Sequence, residues 1–315
     1  MINGLLLINK PVGVTSHHVV AQARRILKTS EVGHAGTLDP LASGLLVLLV
    51  GEATKLSEYV LSGDKAYRVK VRLGMTTDTL DTTGSILSSN GLCQEASGVK
   101  LAAETLAGAF LWPVPMYSAA KVGGKKLYEL ARENIEIESP VKMMKFWDVV
   151  AEEPTLDSAM PSIVAHLHCS KGSFVRTWAD QLGRVLGCGA VVEELHRTLS
   201  SPYRIENAIE LPALAEKVEN GFLESPSGDF YISMQETLPG FRALTVCGRD
   251  ERLLTGGQVS HDLARRLIVE QKEATETQKM VGIKILSARR GDLLSLIEAQ
   301  PNRGLKIRRV FSNSL

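Results

Sequence analysis

The sequence predicts an α+β protein in which strands and helices alternate over the first 240 residues, followed by a smaller module of short strands arranged as in a β-barrel. Three stretches carry that prediction. Leu45–Val50 is six apolar residues without interruption, too short to cross a membrane and suited to a strand buried on both faces. Between Lys65 and Leu73, Tyr67, Val69, Val71 and Leu73 alternate with Arg68, Lys70 and Arg72, which is the period of a half-buried strand with a basic outer face. After Phe241, apolar runs at Val281–Leu286, Leu293–Ile297 and Leu305–Phe311 are separated by Gly and polar turns. At 315 residues the chain exceeds the usual single domain, and the expected division is 1–240 and 241–315.

The elements follow in order. Leu5–Ile8 opens as a strand and stops at Asn9-Lys10-Pro11, with Gly13 turning the chain. Thr15 or Ser16 then caps a helix whose apolar positions Val19, Val20, Ala23, Ile26 and Leu27 keep helical spacing. Gly33, Ala35 and Gly36 read as a small-residue turn that displays His34 and Asp39 before the buried run, with Pro40 stiffening it. Thr54–Leu61 reads as a helix, Thr76–Gly84 as an acidic, hydroxyl-rich loop, and Leu101–Phe110 as a helix ending at Trp112-Pro113. Val114–Leu130 interleaves Tyr117 and Tyr128 with Lys121, Lys125 and Lys126 around a Gly-Gly hinge, a pattern suited to looped RNA because cations meet phosphates and rings meet bases. Ser162–Cys169 alternates as a strand, with Ile163, Ala165, Leu167 and Cys169 inward. The turn Lys171–Arg176 leads into a helix at Thr177–Leu186, closed by Gly187. Ala190–Leu195 is a strand running into His196-Arg197, and Glu216–Leu238 is weakly patterned and reads as a linker.

Composition narrows the class. Hydrophobic content of 44% and charged content of 23% are those of a soluble globular protein. Cys93, Cys169, Cys188 and Cys247 lie far apart with no C-x-x-C pair, which argues against a disulfide framework or a zinc site. His166, His168 and Cys169 invite a metal reading, but neighbours on a strand point to opposite faces, so no metal site is expected. The N-terminus has no basic segment ahead of its short apolar run, so neither a signal peptide nor a membrane anchor is expected, and the cytoplasm is the default compartment. Charge is uneven: residues 241–315 carry 14 Lys+Arg against 8 Asp+Glu, while residues 1–240 carry 22 against 27. A basic C-terminal module suits a phosphate-bearing partner.

Six separated motifs occur in one order: N-K-P-V-G-V-T-S (Asn9–Ser16), G-H-A-G-T-L-D-P-L-A-S-G (Gly33–Gly44), D-K-A-Y-R-V (Asp64–Val69), T-D-T-L-D-T-T-G (Thr77–Gly84), P-M-Y-S-A-A-K (Pro115–Lys121) and C-S-K-G-S-F-V-R-T (Cys169–Thr177). With these motifs the chain resembles the TruB family of bacterial tRNA pseudouridine synthases, over Leu5 to about Leu199. The resemblance implies a mixed, largely antiparallel sheet flanked by helices, with the active cleft across its centre and the basic insertion at about 114–133 closing over it. It implies isomerisation of the uridine at position 55 in the tRNA T-loop, by base flipping and an aspartate nucleophile. Asp39 takes the nucleophile's place, Arg176 its ion-pair partner's, and Tyr67 that of the ring packed on the target base. His34 takes the place of the residue that displaces the flipped uridine. Asp81 lies near the site, and Tyr117, Lys121, Lys125, Lys126, Phe174 and Leu195 are expected to bind substrate. One departure matters: the family's K-G-T-Y-I-R reads K-G-S-F-V-R here, so Phe174 keeps a ring for stacking and lacks the phenol hydroxyl.

The residue types suit the chemistry. Pseudouridine formation breaks C1′–N1, turns the uracil and rejoins it through C5 with no redox change, so it calls for no cofactor or metal. Asp39 could add to C6, attack C1′ or deprotonate C2′, and the sequence leaves these open. Residues 241–315 resemble a PUA-like RNA-binding module through R-L-L-T-G-G-Q-V (Arg252–Val259) and their place in the chain. The implied partner is the tRNA T stem-loop, with ribosomal or guide-directed RNA as the alternative substrates, and the implied state is a monomer away from membranes.

Overall fold

The computed structural model describes residues 2–91, 95–133, 135, 137–157, 159–301 and 303–311, so Cys93 lies outside the described residues. β1 (Gly4–Lys10) leads into α1 (Ser16–Ile26). Thr15 is the cap: its hydroxyl accepts from the His18 amide at 3.0 Å. Ser16 turns inward instead, its Oγ accepting from the Leu38 amide at 2.8 Å and donating to the Leu38 carbonyl at 3.1 Å. The start of the helix is thereby tied to the segment that carries Asp39.

β2 (Val32–Ala35) and β3 (Ser43–Val50) form an antiparallel pair, so Gly33, His34 and Ala35 lie in a strand and the turn is confined to residues 36–42. The sequence-predicted turn is therefore shorter than expected, because β3 offers Val32–Ala35 a ready ladder of partners. β3 also pairs with β1 along Gly4–Lys10. Its run is uninterrupted because both faces are covered: Leu46, Leu48 and Val50 belong to one core, and Leu45, Val47 and Leu49 to a second.

A 3₁₀ turn (Gly51–Leu56) and α2 (Ser57–Val60) replace the single helix expected over Thr54–Leu61. β4 (Lys65–Leu73) alternates as predicted. The hairpin β5 (Met75–Thr77) and β6 (Ile86–Ser89), then α3 (Ala96–Thr105) and β7 (Gly108–Pro113), follow. The expected helix over Leu101–Phe110 thus ends early. Gly108 and Pro113 disfavour helix, and Phe110 stacks on Trp112 at 4.3 Å in the extended segment. A two-residue hairpin, β8 (Lys121–Val122) and β9 (Lys125–Lys126), gives structure to the basic insertion and leads into α4 (Leu127–Arg132).

β10 (Val141–Ala151), β11 (Ser162–Cys169), α5 (Val175–Leu186) and β12 (Ala190–Ser200) complete the central part. Gly187 takes a left-handed φ of 72° as the C-cap of α5. A short β13 (Tyr203–Arg204) precedes α6 (Leu211–Glu219) and β14 (Tyr231–Ser233). The stretch expected as a linker is built into the fold: β14 pairs with β1, and Phe222 and Phe230 are buried in the main core.

The ten-stranded sheet runs β14-β1-β3-β12-β4-β11-β10-β7, with β2 on β3 and β13 on β12. Its pairs are antiparallel except where β12 meets β3 in parallel at His196↔Ser43 and Arg197↔Gly44. That junction lies directly behind the Asp39 turn. The outer face of β4 is not free cation: Arg72 and Lys70 pair with Glu193 at 3.0 and 3.3 Å, and Arg68 with Glu194 at 3.6 Å, all from β12.

The C-terminal part is β15 (Arg242–Val246), α7 (Arg249–Thr255), α8 (His261–Arg266), α9 (Ile268–Thr277), β16 (Val281–Ser287), β17 (Leu293–Gln300) and β18 (Gly304–Val310). The strands pair in the linear order β15-β16-β17-β18, with no pairing between the two edge strands among the described residues. The three helices were not legible because they bury few side chains, chiefly Leu254, Leu263, Leu267 and Ala274. Leu293, Leu296 and Phe311 join the core formed by Leu5, Leu7 and the second face of β3. Tyr59 donates to Glu298 at 2.8 Å across the same junction, and Arg309 pairs with Glu58 at 2.9 Å.

Candidate active site

The turn after β2 holds Asp39 in place through backbone bonds. Gly13 N–H donates to the Pro40 carbonyl at 2.8 Å, Ala42 N–H to the Asp39 carbonyl at 3.0 Å, and Ser16 brackets Leu38. Gly36 takes a φ of +95°, a backbone state that a side chain would strain. Gly44, at φ +97°, lets β3 approach β12 so closely that an added Cβ would overlap the Arg197 carbonyl oxygen and stand 2.8 Å from its nitrogen.

Arg176 lies in the first turn of α5, only 4% exposed, where the helix dipole offers a cation nothing. Its partners explain it. Nε meets Asp39 Oδ2 at 2.9 Å and Nη2 meets Oδ1 at 3.3 Å, a two-point clamp on the carboxylate. Nη1 donates to the Thr79 carbonyl and Nη2 to the Tyr117 carbonyl, each at 2.8 Å. One guanidinium thus gathers the Asp39 turn, the β5–β6 loop and the head of the basic insertion. Asp81 stands behind it, Oδ2 at 3.9 Å from Nη1, with Oδ1 accepting from Thr79 Oγ1 at 2.8 Å and the Thr83 amide at 3.0 Å.

The clamp opens onto a cavity of about 560 Å³ lined by Asp39, Tyr67, Phe174, Arg176 and Leu195, with Ala119 and Ala120 on the insertion side. That volume falls within the range of ligand pockets. Tyr67 is an inward residue of β4. Burial pushes its phenol above the ordinary value, while the positive charge of Arg197 acts in the opposite direction. The phenol stays protonated at neutral pH and is available as a donor.

Other predicted residues lie further out. Tyr117 contributes its carbonyl to Arg176, and its phenol donates to Asp78 at 3.4 Å. His34 sits on β2 opposite Leu48, outside the cavity lining, with Nδ1 unpartnered among the described residues. Burial lowers its pKa, and Arg197 and His17 push the same way. Lys121, Lys125 and Lys126 occupy the hairpin and do not line the cavity. Lys125 pairs with Glu133 at 3.4 Å and Lys126 with Glu129 at 3.7 Å, while Lys121 has no ion pair among the described residues.

Near the cavity, three buried cations among the described residues escaped the sequence reading. Lys10 donates to the Pro11 and Val14 carbonyls at 2.8 Å each, and burial lowers its pKa to about 8 against the pull of Asp39. Lys65 donates to the Leu61 carbonyl at 3.0 Å and to the Gly63 carbonyl, and burial likewise lowers it to about 8. Arg197, 1% exposed, donates from Nε to the Leu45 carbonyl at 2.7 Å and from Nη2 to the Gly36 carbonyl at 3.0 Å. The signal was present for Arg197: it shares the inward phase of β12 with Leu195, and a charge at an inward position needs a reason.

This geometry meets its relatives at every scale. The model for the TruB family pseudouridylate synthase N-terminal domain matches residues 24–175, and that for the tRNA pseudouridylate synthase B C-terminal domain matches 176–232. The tRNA pseudouridine synthase B of Bdellovibrio bacteriovorus (strain ATCC 15356 / DSM 50701 / NCIMB 9529 / HD100) is 46% identical over 99% of this chain and 98% of its own. The chain belongs to the TruB family. As a TruB-family protein it is a pseudouridine synthase, an isomerase. The tRNA pseudouridine synthase B of Escherichia coli O1:K1 / APEC is 40% identical over 69% of this chain and 68% of its own. A chain in the crystal structure of a Cbf5-Nop10-Gar1 complex has the same fold, with a TM-score of 0.65 at 18% identity over 98% of this chain and 85% of that one. Among the described residues no helix is long and apolar enough to cross a membrane.

Proposed function

We propose that this enzyme isomerises uridine to pseudouridine at position 55 in the T-loop of tRNA, with Asp39 as nucleophile and the target base flipped into the cavity. One observation carries the reading: a buried arginine holds the Asp39 carboxylate by two bonds at the wall of a cavity large enough for a base. Flipping costs a few kcal/mol of lost stacking and pairing, offset by contacts inside the cavity. Tyr67 and Phe174 offer ring faces to the uracil, and Leu195 closes the apolar side.

The reaction is an internal rearrangement. The C1′–N1 bond breaks, the ring turns, C1′–C5 forms, and the proton lost from C5 is balanced by one gained at N1. From its position Asp39 serves any of three first steps, addition to C6, attack at C1′ or proton removal at C2′. Arg176 fixes the direction of the carboxylate, so no reorganisation is needed at the moment of reaction. Tyr67, held protonated, donates a hydrogen bond to the turning ring. The tRNA substrate is supported by the names of the relatives, and a cytoplasmic monomer is part of the same reading.

The basic insertion at 114–133 receives the RNA at the cavity mouth. Residues 241–315, with exposed Arg249 and Arg252, act as a PUA-like module on the tRNA backbone. Tritium release from tRNA labelled at uridine C5 tests the assignment. Asp39→Asn is expected to abolish release with tRNA affinity largely kept. Residual release above a few per cent of the parent rate removes Asp39 from its role. Mapping the product to a nucleotide outside the T-loop removes the substrate assignment.

A further inference from the structure

Arg197 is among the largest fully buried side chains of the molecule, and it has no carboxylate partner among the described residues. Arg176 spends its charge on Asp39; Arg197 spends its hydrogen bonds on backbone. Its fork reaches Leu45 on β3 at 2.7 Å, Gly36 at 3.0 Å and, more weakly, Thr37 at 3.5 Å. Arg197 also stands opposite Tyr67 in the β4–β12 ladder, its charge works against the upward push of burial on that phenol, and both residues line the cavity. Gly36 and Thr37 precede Asp39 by three and two residues, so any slack in their carbonyls moves the carboxylate.

We propose that Arg197 is a positioning residue of this reaction: it holds the Gly36–Thr37 backbone that carries Asp39 in place on β3, and sets an unneutralised positive charge on the cavity wall beside Tyr67. The proposal rests on the reading of Asp39 and Tyr67 as the groups that meet the uridine.

Three facts favour this over a plain structural staple. Burial of an unpaired guanidinium is costly, and neutral residues of similar bulk would fill the space without that cost. Two of its three bonds go to Gly36 and Thr37 in the short turn that bears the nucleophile, a segment the ladder of β2 and β3 does not reach. Arg197 also lines the cavity, so a uracil bound there would meet a fixed cation as the C1′–N1 electron pair moves onto the ring. Close approach of Gly44 to the Arg197 backbone fixes where the side chain starts.

The test uses the full chain and tRNA labelled at uridine C5. Arg197→Met is expected to slow single-turnover tritium release more than 100-fold at saturating tRNA, with the Kd for tRNA within threefold. Arg197→Lys is expected to recover part of this loss, because one ammonium keeps the charge and cannot reach Gly36, Thr37 and Leu45 together. Millimolar guanidinium is expected to raise the rate of Arg197→Ala at least tenfold where equal sodium chloride does not. A folded Arg197→Met within threefold of the parent rate overturns the proposal; if that variant fails to fold, a parent-like rate in Arg197→Lys does so. If the parent itself releases no tritium, the substrate assignment fails separately, and Tyr67 then reports alone. Ultraviolet titration of its phenol, isolated by subtracting Tyr67→Phe, is expected to move upward in Arg197→Met, which removes the neighbouring charge, and an unmoved titration overturns the link.

Discussion

Replacing Arg176 by Lys tests the clamp on Asp39 most directly. Arg176 makes four close bonds: 2.9 and 3.3 Å to the two Asp39 oxygens, and 2.8 Å to each of the Thr79 and Tyr117 carbonyls. An ammonium at the end of a lysine stem is a point donor that can hold one carboxylate oxygen and one carbonyl, leaving about half of these bonds unmade. Bonds to charged groups contribute about 1.5–3 kcal/mol each. The Asp39 side chain is 35% exposed, so water replaces part of what it loses, and the lower end of that range applies. Losing about two bonds on this scale is roughly 3 kcal/mol, or about 150-fold in rate when it falls on the transition state. Arg176→Met, which abandons all four, is expected to exceed 1000-fold, on the same order-of-magnitude basis. Single-turnover tritium release at saturating tRNA reads the loss, with circular dichroism to show that α5 has formed. A folded Arg176→Met within threefold of the parent refutes the reasoning, because Asp39 would then need no clamp.

Three further outcomes follow. Gly44→Ala is expected to lower stability by about 3 kcal/mol or more by denaturant melts, since φ is +97° and the added Cβ meets the Arg197 backbone; a loss under about 1 kcal/mol contradicts the close approach. Lys10 titrates near 8 when folded against an ordinary 10.5, so between those values the unfolded chain binds the extra proton and stability rises with pH. Lys10→Met is expected to flatten that rise by up to about 1.4 kcal/mol per pH unit in melts between pH 8 and 9, and an unchanged slope refutes the shift. Lys121→Glu is expected to weaken tRNA binding and reduce its salt slope by about 1, with Tm unchanged, because this lysine has no ion pair among the described residues; an unaltered salt slope separates it from the RNA.

Much of the fold was legible where one face or both faces of an element are buried. The six-residue apolar run of β3 and the alternation of β4 and β11 declare their surroundings, and the structure meets them residue by residue. β10 was missed because its inward residues, Met144 and Phe146, are set among exposed Met143, Lys145 and Val141, and the pattern is blurred. The linker reading of Glu216–Leu238 failed because a three-residue edge strand leaves too short a period to see. In the site, Asp39, Tyr67, Phe174, Arg176 and Leu195, drawn from distant motifs, line one cavity. Lys10, Lys65 and Arg197 were not legible as a group. They come together only through the parallel contact of β12 with β3 and the turn after α2, both products of tertiary pairing.

These three cations also resolve an apparent conflict of charge. Residues 1–240 carry more acid than base, yet their proposed substrate is a polyanion. On the outer face of β4, Arg68, Lys70 and Arg72 are neutralised by Glu193 and Glu194, so that surface offers an RNA little. Inside the site the arrangement is reversed. Lys10, Lys65 and Arg197 are satisfied by backbone carbonyls, which meet the hydrogen-bonding needs of a cation without cancelling its charge. The lowered titration of both lysines, to about 8, records what this burial costs the charged form. Of the three, Lys65 and Arg197 line the cavity, where low-dielectric walls focus their field. Net charge over the first 240 residues is therefore a poor guide to where RNA is drawn in: Glu193 and Glu194 cancel cations on the outer face of β4, while Lys10, Lys65 and Arg197 near Asp39 have no carboxylate in hydrogen-bonding contact among the described residues.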